Sequence, residues 1–518
     1  METSRTHNVM RNISWAVILQ VVLMFLQFFL RTIFVRQLGK DYLGISGVFT
    51  DIFNVLSLVN LGIPDAMVIC MYKPLAEKNY DKVRALLYLF GKLYAIIGAV
   101  VLILGIAIIP LLQFIIREPP NIPESIIKIY FLYLFQAVST YYVIHKRYII
   151  YTDQKEYIVN IYQKFFNFTQ IVLQIVILLT IQNFYLYLAA QVLCTILTNF
   201  FSSLKAKKMY PFINEKNTYK LNKQEISEII TNSISLFMYL GGATLLIAVD
   251  SILISSIAGI GILGLCSNYI LIVNSVQSLT DKAITGFTAS IGNLNVNADK
   301  ETSENVFNQV NFAFFMILSF CAINLAVCMN TLIPVWLGDN FLLSDLIIIA
   351  LALRYYVQGT QMATYIFRST LGLISKIKFV TIITAIANIV FSIIAGKLFG
   401  VPGILFVSPL VVFLFTIVPE ALVLYKYKFE KSSIRFFIRY IGYVVFMAGN
   451  YFITTRILAL PVFVFSGWIG FFYRVLLSVL ISSSLFLIVF FRDKNFRALC
   501  ARILYLIKSR GGKNQPDS

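Results

Sequence analysis

The chain has 518 residues, 59% of them hydrophobic and 13% charged, about half the roughly 25% charged content of a soluble domain. That deficit excludes an ordinary soluble enzyme. The net charge of +19 does not point to nucleic acid either, because the basic residues are spread over alternate connections and do not form one stripe.

Apolar blocks of about 20 residues, the length needed to cross hydrocarbon, follow one another along the chain. They lie at 13–35, 42–65, 84–115, 125–145, 157–181, 184–204 and 229–257, then at 262–290, 307–333, 345–371, 379–398, 402–425, 436–458 and 464–491. Helices satisfy their own backbone groups within each segment. The predicted fold is therefore an all-α polytopic membrane protein of about fourteen transmembrane helices. Residues 1–11 are polar and basic with no small-residue cleavage site after them, so 13–35 reads as an uncleaved first span. Residues 491–509 alternate apolar and basic residues and are expected to form an amphipathic helix, and 511–518 a disordered tail.

One set of alternate connections carries 29 lysines and arginines; the other carries five, Arg36, Lys40, Arg117, Lys128 and Lys397. Basic connections stay inside, so both termini are expected in the cytoplasm of a bacterial inner membrane. The exterior connections are short, the longest being 117–124 (REPPNIPE) and 330–345, too short for an exterior catalytic domain. No enzyme activity is expected. Six cysteines without a CxxC pair and only two histidines offer no zinc pattern, and no cofactor is expected.

Shifting the chain by 220 positions places Asn12 on Asn232, Gly39 on Gly259, Leu43-Gly44 on Leu263-Gly264, Ile52 on Ile272 and Asn54 on Asn274. The shift skips an even number of spans, so the copies point the same way. Two parallel six-helix lobes follow, 1–204 and 229–425, joined by a basic linker at 205–228. Accessory helices 13 and 14 (426–491) and a basic tail (492–518) come after. Such repeats are a transporter architecture with the substrate site between the halves. Gly259, Gly261 and Gly264 fit GxGxxG, and Asp281 follows, but both flanks are apolar spans where a dinucleotide site needs a strand and a solvent-facing helix. The glycines read instead as the turn between spans 7 and 8, repeating the turn at Gly39–Gly44. Gly62-Ile63-Pro64 and Gly241-Gly242 are expected kinks.

Over the first twelve spans the sequence resembles the oligosaccharide flippases of the MOP superfamily, the Wzx-type exporters of O-antigen and capsule repeat units. The resemblance rests on LGKDYLGISGVFTDIFNVLSLVNLGIPDAM (38–67), MYKPLAEKNYDKV (71–83), SISLFMYLGGATLLIAVDSILISSIAGIGILGLCSNYILI (233–272), TASIGNLNVNADKE (288–301) and IPVWLGDNFL (333–342). It implies a MATE/MOP-like fold and, as substrate, an undecaprenyl-pyrophosphate-linked oligosaccharide moved from the cytoplasmic to the exterior leaflet. It also implies membrane lipids and other polysaccharide-assembly membrane proteins as partners, and no nucleic acid. The alternatives are a lipid II flippase and a cation-coupled multidrug (MATE-like) exporter. A membrane glycan polymerase or ligase ranks below them because the exterior connections are short.

A charge at mid-bilayer costs about 2.5–3.5 kcal/mol on insertion scales, so it turns to a wet cavity or a partner. Arg31, Lys92 and Arg354 are the candidate cavity cations for a diphosphate, through charge-assisted hydrogen bonds. Asp51 and Asp250 are candidates for H+ or Na+ coupling or for an ion pair, Asp250 with Arg31. Tyr355 and Tyr356 beside Arg354 are candidates for stacking on sugar rings. Lys282, Arg368 and Glu420 read as snorkelling residues at span ends.

Overall fold

The computed structural model describes residues 22–498 apart from 58–62, 117–119, 218, 220, 298, 372, 378 and 461–465. Every regular element among them is helical. The chain divides into two compact units at Gly264 and Leu265. The first contains α1 (22–37), α2 (Lys40–Leu56), α3 (Ile63–Ala76), α4 (Tyr80–Ile108), α5 (Ile126–Val143), α6 (Glu156–Thr180), α7 (Phe184–Met209) and α8 (Lys223–Ala258). α9 (Ile260–Asn297) begins in the first unit and runs on into the second. That unit continues with α10 (Lys300–Trp336), α11 (Asp345–Thr370), α12 (Val380–Val412), α13 (Ile434–Leu458) and α14 (Gly467–Phe490).

Helix occupies the described part of all fourteen expected segments. Among the described residues, nine helices are long and apolar enough to cross a membrane. The protein is a multi-pass membrane protein. One expected boundary is corrected. The second span does not stop at 65: the run Ala66–Ala76 stays apolar and helical. Gly62 lies outside the described residues. α8 is helical through Gly241-Gly242. Of the expected amphipathic segment at 491–509, helix is seen at 494–498; the rest, and the tail, lie outside the described residues.

Spans 11 and 12 form a hairpin within α12. Gly400 adopts φ 65°, ψ −147° inside the helix, a conformation that costs a side chain dearly. Pairs of contacts nest around it. An ideal Cβ on Gly403 would lie 2.3 Å from the Ala395 carbonyl oxygen, Ser408 Oγ donates to Asn388 Oδ1 at 3.2 Å, and the Thr384 and Thr416 hydroxyls meet at 2.9 Å. The chain reverses at one glycine, and two polar pairings tie the two arms.

In the first unit the linker is held down. Arg84 pairs with Asp81 and Glu215, Lys82 Nζ lies 2.5 Å from Glu225, and the Tyr80 ring stacks on Phe212 at 4.3 Å. Asn222 and Glu225 form a reciprocal capping box that starts α8. In the second unit the accessory helices are fastened to α10 by a polar seam. Ser478 Oγ donates to Asn324 Oδ1 at 2.7 Å, Asn324 Nδ2 to Ser482 Oγ at 3.3 Å and Asn450 Nδ2 to the Ser482 carbonyl at 3.3 Å. Arg474 Nε adds a bond to the Val327 carbonyl at 3.3 Å. The Phe315 ring stacks on Tyr443 at 4.0 Å. With no hydrophobic drive between helices in lipid, such packing and hydrogen bonds supply the association.

Ser478→Ala is expected to lower the thermal midpoint of the detergent-solubilised protein slightly, for about 0.6 kcal/mol per bond. Ser478→Leu, which also overfills a fully buried position, is expected to lower it further, by about 1–3 kcal/mol of strain. Equal midpoints for the two variants would contradict the seam.

Candidate functional site

The residues of the repeat meet in space. Gly39 (φ 91°, ψ −175°) starts α2 and Gly259 (φ 84°, ψ 164°) starts α9, so the two turns share one conformation that favours glycine. An ideal Cβ on Gly44 would lie 2.2 Å from the Ile260 carbonyl oxygen, and one on Gly264 would lie 2.1 Å from the Lys40 carbonyl oxygen. These are reciprocal contacts, because the shift of 220 carries Lys40 to Ile260 and Gly44 to Gly264. A glycine on each helix is what lets the two cross so closely. Buried Ile45, Val48, Phe49 and Leu263 surround the crossing.

The same end of the unit is laced to the connection after α4. Asp41 Oδ2 accepts from the Asn121 N–H at 3.2 Å, Tyr42 donates its hydroxyl hydrogen to Glu124, and Ser255 Oγ donates to the Ile115 carbonyl at 2.9 Å. The GxGxxG glycines are thus a helix-to-helix turn, with no strand and no phosphate cradle.

The nominated charges are distributed as follows. Arg31 is partly buried on α1, one turn before Phe34, whose ring meets Tyr187 of α7 edge-on at 5.0 Å. Lys92 is exposed on the face of α4 that carries Tyr88, Ile96 and Ile103, its ammonium 4.6 Å from the Tyr88 ring centroid. Asp51 accepts a 3.4 Å bond from Asn54 on α2, and Asp250 is 2% exposed on α8. These four stand in the first unit; Arg354, partly buried on α11, stands in the second. Tyr355 and Tyr356 are core residues of that unit, Tyr355 donating to Thr280 at 3.2 Å. Their rings are packed and not offered to a sugar.

Sequence reasoning missed one ion pair. Arg368 and Glu420, read as snorkelling residues, are each 2% exposed and lie 3.1 Å apart. Glu420 also accepts from Thr364 Oγ1 at 2.5 Å and from Gln361 Nε2 at 3.3 Å. Gln361, Thr364 and Arg368 recur at helical spacing on one face of α11, a pattern that marks a polar face where a snorkelling arginine would need none. Glu420 lies in Val418–Leu424, bracketed by π-helical turns at Phe413–Ile417 and Tyr425–Phe429. Such bulges re-aim side chains and recur at functional sites.

No protein-family model matches the chain, and no curated protein matches it. Solved structures do. A lipid II flippase MurJ in an inward closed conformation superposes with a TM-score of 0.66 at 16% identity, covering 92% of this chain and 98% of that one. An inward-facing multidrug resistance MATE family transporter of the MOP superfamily gives 0.56 at 13% identity, covering 78% of this chain and 98% of that one. A Vibrio cholerae MATE transporter, VcmN, gives 0.52 at 14% identity, covering 79% and 94%. The fold is that of the MOP-superfamily transporters. By their titles these neighbours are a flippase and transporters.

Two outcomes test this geometry. Gly264→Val puts a branched side chain against a backbone carbonyl and is expected to cost about 1–3 kcal/mol, read as a lower melting temperature or folded yield; Gly442→Val, which meets open space at its Cβ position, serves as the control and tests whether any added helical side chain does the same. Glu420→Leu strands a buried arginine and is expected to cost about 3–5 kcal/mol, whereas the double replacement Arg368→Leu/Glu420→Leu regains most of that loss. If the double variant melts below the single one, the pair is not an isolated buried unit.

Proposed function

We propose that the protein is a flippase that moves an undecaprenyl-pyrophosphate-linked oligosaccharide from the cytoplasmic to the exterior leaflet by alternating access, in O-antigen, capsule or exopolysaccharide synthesis. The observation that carries this reading is the MurJ-like fold over 92% of the chain, joined to the Wzx-type motifs at 38–67 and 233–272. That neighbour's title names lipid II as what it flips. In this reading Arg31, Lys92 and Arg354 hold the diphosphate through charge-assisted hydrogen bonds. Asp250 pairs with Arg31, and Asp51 is the second acidic group available for H+ or Na+ coupling. Coupling is not obligatory: with the interior negative, moving two negative charges outward releases about 4.6 kcal/mol per 100 mV.

The protein works in this reading in the bacterial inner membrane with both termini in the cytoplasm, beside other polysaccharide-assembly membrane proteins. Lipid II transport is the second reading, favoured by the MurJ likeness itself. A cation-coupled drug exporter is the third, from the MATE neighbours; it would rely on acidic cavity groups, and basic ones are at least as frequent here.

Deleting the gene is expected to strand lipid-linked repeat units on the cytoplasmic leaflet and to abolish surface glycan while peptidoglycan synthesis continues. Loss of peptidoglycan synthesis with intact surface glycan would favour lipid II as cargo instead. In a complemented strain, Arg354→Ala is expected to cut glycan export at least tenfold at unchanged protein level, about the effect of one lost charge-assisted bond. Full export by that variant would remove Arg354 from the site.

A further inference from the structure

The first unit holds a polar cavity of about 250 Å³ between α5 with its continuation to Thr152, α6 and α7. Arg147 stands at its edge. In sequence it looks like one more basic connection residue, but the short 3₁₀ turn Ile144–Arg147 turns it inward. Its Nη1 donates to Asn199 Oδ1 at 2.8 Å, and its buried Nε has no hydrogen-bond partner. Across the cavity, α6 presents Gln163, Asn167 and Gln170, positions i, i+4 and i+7 of one helical face. Gln163 and Asn167 make no hydrogen bond among the described residues. Gln170 spends one long 3.4 Å bond on Gln174. The opposite face of α6, with Ile161, Phe165 and Phe168, is exposed and apolar.

Gln163, Asn167 and Gln170 are partly exposed with hydrogen-bonding capacity to spare, while the buried, unpartnered Nε of Arg147 carries a desolvation cost of about 1–3 kcal/mol. Free amides facing one such guanidinium point to a polar ligand. No acidic side chain lines the cavity, so the ligand is not a cation. The planar guanidinium fork matches a carboxylate. Side-chain amides, donor and acceptor on one plane, match neighbouring hydroxyls. Phe166 supplies an apolar wall. The volume falls just below the roughly 300–1,000 Å³ of drug-sized clefts, and the cavity is open, so it seats one sugar ring.

We infer that this cavity takes one acidic pyranose residue, its carboxylate on Arg147 and its hydroxyls on Gln163, Asn167 and Gln170. The inference deepens the flippase reading and rests on it for the source of the sugar: a carboxylate-bearing residue of the transported oligosaccharide.

The full-length protein in detergent is titrated with glucuronate, glucose and inorganic phosphate, with binding read by saturation-transfer NMR and melting temperatures recorded beside it. Glucuronate is expected to bind at least tenfold tighter than glucose or phosphate, the margin of one charge-assisted bond. Arg147→Gln removes that preference and leaves glucose binding unchanged. Gln163→Leu, at a partly exposed position, weakens both sugars. Glucuronate affinity unchanged in Arg147→Gln overturns the assignment. So does phosphate binding tighter than glucuronate, which would mark a phosphate site, and so does an absence of sugar binding by wild-type protein with a normal melting transition, which would mark a water-filled cavity. Binding is measured without transport. Normal export with no sugar binding therefore overturns the cavity assignment alone, and sugar binding with no glycan phenotype on deletion overturns the export role alone.

Discussion

Two carbonyl oxygens, those of Lys40 and Ile260, lie where the Cβ atoms of Gly264 and Gly44 would be, and this double absence is the constraint around which the first unit is organised. It sets how closely α2 and α9 approach and places the turns at Gly39 and Gly259 side by side. It also fixes the end of the unit to which Asp41, Tyr42 and Ser255 lace the connection after α4. On the Gly264 side the contact is backbone against backbone, and on the Gly44 side Ile260 adds its Cγ2.

A second constraint comes from hydrocarbon. Polar groups inside these units are satisfied in pairs that come from distant parts of the chain: Arg368 with Glu420, Asn324 with Ser478, Thr384 with Thr416. The buried ion pair adds little net stability compared with well-packed apolar residues, yet losing one member is costly, whereas each neutral pair is worth about 0.6 kcal/mol. Their value lies in fixing which helix meets which, and at what register. The π-helical turns on either side of Glu420 show the backbone giving way to keep its carboxylate aimed at Arg368.

The spans were legible because each is a long apolar block closed by basic or turn residues, and the helix at Ala66–Ala76 was missed only where the apolar run continued past a proline. The Gly44–Gly264 relation was legible because the repeat leaves it in register. Arg147, Arg368 and Glu420 were not. A charged residue ending an apolar block looks the same in sequence whether it snorkels outward or turns in, and what decides is a partner on another helix, Asn199 or the ion-pair mate. Polar positions at helical spacing, such as Gln163, Asn167 and Gln170, are the signal that separates the two cases. Tyr355 and Tyr356 illustrate the converse error. Each step along a helix turns by about 100°, so residues adjacent to Arg354 in sequence point into the core.

The seam joining α13 and α14 to α10 bears on how such chains are built. Asn324 offers its amide to Ser478 and Ser482, so the twelve preceding helices already carry a polar groove shaped for the last two. Stripped of them, Asn324 Oδ1 would lose the Ser478 hydroxyl, while its Nδ2 would keep the Phe320 carbonyl of its own helix at 2.8 Å. The last two helices therefore complete the polar partnering of α10 in the second unit.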